Sequence, residues 1–220
     1  LDLVDIIDIK EIQSILDDFC KLNQITCAIL DTNGKIIAGA GWHDICVKYH
    51  RVHPVTSLNC MKSDTILTKD IPAGESKLYK CNNNMWDFAT PLIVNNKHMG
   101  NIFIGQFFFD DDVVDQDVFI RQAREYNFDE KDYISLLDQV PRMSHEFIDN
   151  VMSFFVKFAH MISQLSFRNL QLAKLLREYD ILVEELEKSN TKHKGMIANI
   201  SDVIAIADNN GIAEYASPNI

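Results

Sequence analysis

What the chain lacks narrows its function first. No apolar run reaches the roughly 20 residues that a membrane-spanning helix needs. The longest, Val151 to Ile162, is interrupted by Lys157 and His160. Positive charge is also scarce: 21 Lys and Arg stand against 32 Asp and Glu, a formal net charge of -11. Nucleic-acid binding wants the opposite, a clustered basic surface, so that class is excluded. The five cysteines (Cys20, Cys27, Cys46, Cys60, Cys81) are odd in number and form no C-x-x-C pair. That usage fits a reducing, cytoplasmic setting rather than a secreted disulfide framework.

Chemical motifs are missing too. There is no Gly-rich phosphate loop, no G-x-S-x-G elbow and no H-E-x-x-H helix. The acidic stretch Asp110-Asp111-Asp112 with Asp115 and Asp117 lacks EF-hand spacing and reads as a solvated loop. Ser144-His145-Glu146 opens like a phosphoacceptor helix but continues Phe147-Ile148-Asp149, and reads as a capped helix start.

What is present is a folded, soluble-type composition, 47% hydrophobic and 24% charged. Asp8 caps a helix whose apolar positions Ile9, Ile12, Ile15, Leu16 and Phe19 recur at helical spacing. Thr26 to Leu30 and Lys35 to Ala38 flank the turn Asp31-Thr32-Asn33-Gly34, a hairpin signal. An irregular stretch follows from Gly39 to Pro54, and Ser57 opens a helix to about Asp70. Strands are expected over Leu78–Cys81, Met85–Val94 and His98–Phe109, then helices over Val118–Tyr126 and Asp129–Gln139. The fold class is therefore α+β, an antiparallel sheet with flanking helices.

After Pro141 one long helix is expected. Phe158, Ile162, Leu165, Asn169, Leu172, Leu176, Tyr179, Val183, Leu186, Asn190, His193, Ile197 and Ile200 alternate steps of four and three. Such a heptad seam suits a parallel homodimeric coiled coil, with Asn169 fixing register. The last residues, Val203–Ala207 and Ile212–Ala216 around Asp208-Asn209-Asn210-Gly211, repeat the first hairpin's logic. The expected organisation is a domain over 1–142, a helical linker over 143–199 and the start of another sheet domain over 200–220.

Candidate chemistry gathers in the first domain. Cys46, Cys60 and Cys81, separated by 13 and 20 residues, could hold zinc or line a pocket, and their spacing does not decide which. Cys20 and Cys27 read as core. Trp42, Trp86, Phe88, Phe103 and Phe107 are aromatic material for a small-molecule site, with His43, Asp87 and Gln106 as its polar groups. Strand alternation puts Trp86 and Phe88 on one face and Asp87 and Ala89 on the other. An alternative function is a thiol-dependent enzyme, or a zinc or redox sensor, built on Cys46, Cys60 and Cys81.

Two resemblances add to this. Ser201-Asp202-Val203-Ile204-Ala205-Ile206-Ala207-Asp208-Asn209-Asn210-Gly211-Ile212, with Tyr215 and Ser217-Pro218, resembles the opening of a PAS domain. The first 140 to 160 residues resemble the PocR sensory domain, through Leu3-Val4-Asp5-Ile6, Ala28-Ile29-Leu30-Asp31, Gly34, Cys46, Cys60, Ser63-Asp64, Tyr79-Lys80-Cys81, Asp87-Phe88-Ala89, Pro91, Gly100 and Gly105-Gln106. The family usually has His after its cysteine, where this chain has Asn82-Asn83-Asn84 after Cys81. The resemblance implies a PAS-like fold that binds a small hydrocarbon derivative, such as a short diol. It also implies downstream PAS and output modules, of which a histidine kinase core is one.

Overall fold

A computed structural model describes residues 2–198 and 205–216. The seam position Ile200, and the PAS-like letters Ser201 to Ile204 and Ser217-Pro218, lie outside the described residues. Two compact units divide at Asn169 and Leu170.

In the first unit, after a 3₁₀ turn at Leu3–Asp5, comes α1 (Ile9–Asn23), where the Asp8 carboxylate accepts from the Lys10 and Glu11 amides. The helix ends where Gln24 turns left-handed, φ 53°, and its amide reaches the Cys20 carbonyl. Its inner face buries Ile12, Leu16 and Cys20. A sheet follows, made of β1 (Thr26–Asp31), β2 (Ile36–Ala40), β3 (Lys77–Lys80), β4 (Trp86–Val94) and β5 (Lys97–Phe109). These five pair antiparallel in the order β2-β1-β5-β4-β3. The β4–β5 hairpin turns on Asn95 and Asn96, φ 51° and 60°, the positive pair that a two-residue turn requires.

Helices cover both faces. On one, Phe19 of α1 meets Phe154 and Phe155 of α5 (His145–Ala198), and Phe155 meets Phe88 of β4. On the other lie α2 (Pro54–Thr65), α3 (Gln116–Glu125) and α4 (Glu130–Leu137). There Ile45, Cys46 and Met85 share a core with Phe108, Phe119 and Tyr133.

Three elements differ from the sequence expectation. The stretch from Gly39 to Pro54 is not irregular: β2 runs to Ala40, and Ile45–His50 forms a π-helix closed by Arg51 N–H to Cys46 O at 2.8 Å. It buries Ile45, Cys46 and His50, a pattern too short to read as a helix from sequence. Helix α2 starts at Pro54, with the His53 ring accepting from the Val55 amide, and ends at Thr65 rather than Asp70. A two-residue strand, β6 (Arg142–Met143), pairs parallel with the end of β5 just before α5.

The long helix is divided in what it packs against. Phe158 and Ile162, expected on an interchain seam, are buried in the unit's own core. Asn169 donates to the Ile6 carbonyl at 3.5 Å, so the expected register residue is bonded within its own unit. Leu165 is half exposed.

In the second unit, Leu172, Leu175, Leu176, Tyr179, Ile181, Leu182 and Leu186 of α5 are all more than half exposed. This unit also holds the hairpin of β7 (Ala205–Ala207) and β8 (Ala213–Ala216). Its turn duplicates the first. Asp31 Oδ1 accepts from Asn33 and Lys35 at 2.8 and 2.9 Å; Asp208 Oδ1 accepts from Asn210 and Ile212, both at 2.9 Å. Gly34 and Gly211 both sit at φ 82°, which favours glycine. The register shifts at the same place, between Ile29 and Leu30 and between Ile206 and Ala207.

Candidate ligand cavity

Between the sheet and the segment 42–64 lies a small cavity, partly open to solvent. The sheet supplies Ala28, Leu30, Phe103 and Gly105; Trp42, Met85 and the three cysteines Cys46, Cys60 and Cys81 add apolar and thiol surface. Its charged groups are Arg51, Asp64 and Asp87.

A backbone irregularity builds the polar wall. Trp86 pairs with Phe107 but Asp87 with Gly105, which leaves Gln106 as an extra residue in β5. Gln106 has φ 63°, a left-handed conformation that a side chain adopts only at a cost. This β-bulge turns the Gln106 amide onto Asp87 Oδ1 at 3.0 Å, while its side-chain oxygen accepts from the His43 amide at 2.9 Å. A Cβ at position 105 would lie 1.5 Å from Asp87 Oδ1, so any larger residue there would displace the carboxylate.

Asp64, on α2, accepts from Arg51 Nη2 at 3.1 Å, and the Arg51 guanidinium lies 4.6 Å from the Trp42 ring centre. Burial still raises the Asp64 carboxyl, against the pull of Arg51. Burial, with repulsion from Asp64, pushes Asp87 up to about 7, although the Gln106 amide and Arg51 oppose the shift.

Histidine and cysteine are held neutral. His50 bridges Tyr133 OH at 2.6 Å and Cys46 Sγ at 3.7 Å, and burial lowers it to about 3. Burial likewise pushes the Cys60 thiol up to about 11, and raises Cys46 and Cys81 well above their ordinary value. A catalytic thiol needs the reverse shift, so this environment does not favour the thiol-enzyme alternative. Among the described residues, no three His, Cys, Asp or Glu are arranged to hold a metal ion.

Of the nine expected site residues, the cavity brings together Trp42, Cys46, Cys60, Cys81, Asp87 and Gln106. It does not include His43, Trp86 or Phe88. His43 contributes its amide to Gln106. Phe88 faces the helix side, against Phe155. Trp86 lies at the start of β4, bonding Asp112 Oδ2 through Nε1 at 2.6 Å and packing on Phe109. Phe107, aromatic material in the sequence, packs on Phe109 and stays off the cavity.

Sequence reasoning missed Arg51, Asp64 and Asn83 as cavity residues. Asn83, fully buried in the turn after β3, donates to Thr56 O and Cys60 Sγ and accepts from Asn59 and Gln122. It stands two residues after Cys81 and ties that turn to α2 and α3. Local sequence carried little signal for them: Asp64 stands in Lys62-Ser63-Asp64-Thr65 and Asn83 in Asn82-Asn83-Asn84, polar runs that read as surface.

An antiparallel sheet flanked by helices, with a small, partly polar cavity against one face, fits the PAS-like class of domain. Residues 5–167 match the profile of the sensory domain found in PocR, and the chain belongs to that family. Comparison with curated proteins gave no match. Among the described residues, no helix is long and apolar enough to cross a membrane.

Proposed function

We propose that the domain is the small-molecule sensor of a prokaryotic signalling protein, with the cavity as its binding site and α5 as its output element. The cavity carries this reading. A buried ion pair, a bulged strand and a carboxyl raised to about 7 are costly features, and they converge on one small space. Trp42, Cys46, Cys60, Cys81, Asp87 and Gln106 are its binding residues, joined by Arg51. The ligand is a short organic molecule with an apolar part for Leu30, Met85 and Phe103. The chain works as a homodimer through the exposed apolar face of α5 in the second unit, upstream of PAS and output modules such as a histidine kinase core. Five free thiols suit a cytoplasmic location.

Affinity should be modest. A ligand of four or five heavy atoms has a ceiling of roughly -6 to -7.5 kcal/mol, so dissociation constants fall between micromolar and millimolar. At about 100 times its dissociation constant, such a ligand stabilises the protein by about 2.7 kcal/mol. A thermal-shift screen of short alcohols, diols and small acids tests this directly. An unmoved midpoint across the whole screen at molar-range concentration sinks the assignment.

A further inference from the structure

The cavity contains one carboxyl that the protein leaves unbalanced. Asp64 is matched by Arg51. Among the described residues, no ion pair reaches Asp87. One of its oxygens is committed to the Gln106 amide, and the remaining lone pairs have the weak Cys81 thiol as their neighbouring side-chain donor. The fold goes to some length to keep it there: a left-handed Gln106, a bulge in the central strand and a glycine beneath the carboxylate. Asp87 lines a cavity that solvent enters, where a ligand's donor can take the place of water on its second oxygen.

We infer that Asp87 is the specificity-determining residue of the cavity: it accepts a hydrogen bond from a hydroxyl of a short neutral ligand and refuses a ligand presenting a carboxylate there. The inference rests on the cavity being the binding site. Arg51 lines the same space, but its charge is answered by Asp64, so it does not recruit an anion. Two anionic oxygen groups meeting at hydrogen-bond distance repel. A hydroxyl donating to Asp87 instead makes a charge-assisted bond when the carboxyl is ionised.

The decisive experiment compares molecules of one carbon skeleton: 1-propanol against propionate, and ethane-1,2-diol against glycolate, by calorimetry on the whole chain. The alcohols should bind at least ten-fold more tightly. In Asp87→Asn the amide oxygen stays on the Gln106 N–H, so its NH2 group takes the place of the second oxygen and the wall becomes a donor. The preference should then reverse toward the carboxylates, with folding checked by circular dichroism. Wild-type protein that takes carboxylates as readily as alcohols overturns the inference, as does a folded Asp87→Asn with unchanged preference. Should neither class bind the wild type, the cavity reading itself falls.

A second measurement does not depend on the variant folding. Ethane-1,2-diol should bind wild-type protein more tightly at pH 8.5 than at pH 5.5, and a flat profile contradicts the role given to Asp87. The other groups facing this carboxyl are Arg51, His50 and Cys46 from the π-helical side, Asp64 and Cys60 from α2, and Tyr79 and Cys81 from β3 and its turn. Asp64 is already bonded to Arg51. His50 titrates below this window, and the thiols and Tyr79 above it.

Discussion

At the scale of single residues, Asp87 makes the protein's stability fall with pH. Its carboxyl is raised to about 7 from an ordinary value of 3.8, so between those values the folded protein holds a proton that the unfolded chain has released. The contribution of Asp87 is therefore full below about pH 4 and is lost progressively as pH rises to 7. His50 acts in the opposite sense. Held near 3, it stays neutral while the unfolded ring protonates, so its stabilising contribution is present above about pH 6.5 and declines as pH falls. The two slopes overlap, and a raw pH profile will not separate them. The difference between wild type and Asp87→Asn will. Urea melts should show the variant's relative stability climbing between pH 4 and 7, by up to about 1.4 kcal/mol per unit. A constant difference would mean that Asp87 titrates normally. Gly105→Ala is the steric counterpart, because its methyl group meets the carboxylate. It should cost about 1 to 3 kcal/mol as an overpacking change and abolish the thermal shift given by any ligand.

Among elements, the bulge in β5 decides which side chains face the cavity. Before it, Phe103 and Gly105 face the cavity; beyond it, Phe108 joins the core on that side while Phe109 stacks on His145, 3.8 Å between ring centres. Much of this was legible in the sequence. The capped first helix, the hairpins and the long final helix follow from spacing and turn letters. Alternation along β4 also puts Asp87 opposite Trp86 and Phe88, so the rule that admits the first to the cavity removes the other two. Gln106 was less accessible, since strict alternation from Phe103 places it on the helix side. Only the glycine before it hints at a bulge. The π-helix escaped because six residues with three buried positions are too few to establish a period. Arg51 and Asp64 lie 13 residues apart on different elements, and no local pattern couples them. The face assignment is testable. Phe88→Ala should lower stability by about 3 to 5 kcal/mol in calorimetric melts, yet leave the ligand-induced shift in place. If the shift disappears while the protein still folds, Phe88 contributes to the cavity after all.

For the whole molecule, the exposed apolar side chains of α5 beyond Asn169 set the expected assembly. Leu172 and Leu176 are each more than half exposed within the chain. Light scattering at micromolar concentration should give a dimer, and Leu172→Glu with Leu176→Glu should give a monomer whose cavity still binds, because buried charges there would have no partners. A wild-type monomer would remove the paired helix from the proposal. The cavity and the start of α5 share one strand, and the bulge gives that sharing a particular arithmetic. Absorbing Gln106 into regular pairing would slide Phe107, Phe108 and Phe109 by one place and turn each to the opposite side of the sheet. Phe109 would leave His145, and Phe108 would leave Phe119. A strand in register has no halfway position, so along this route the cavity can transmit a whole step or nothing, as a ratchet tooth does.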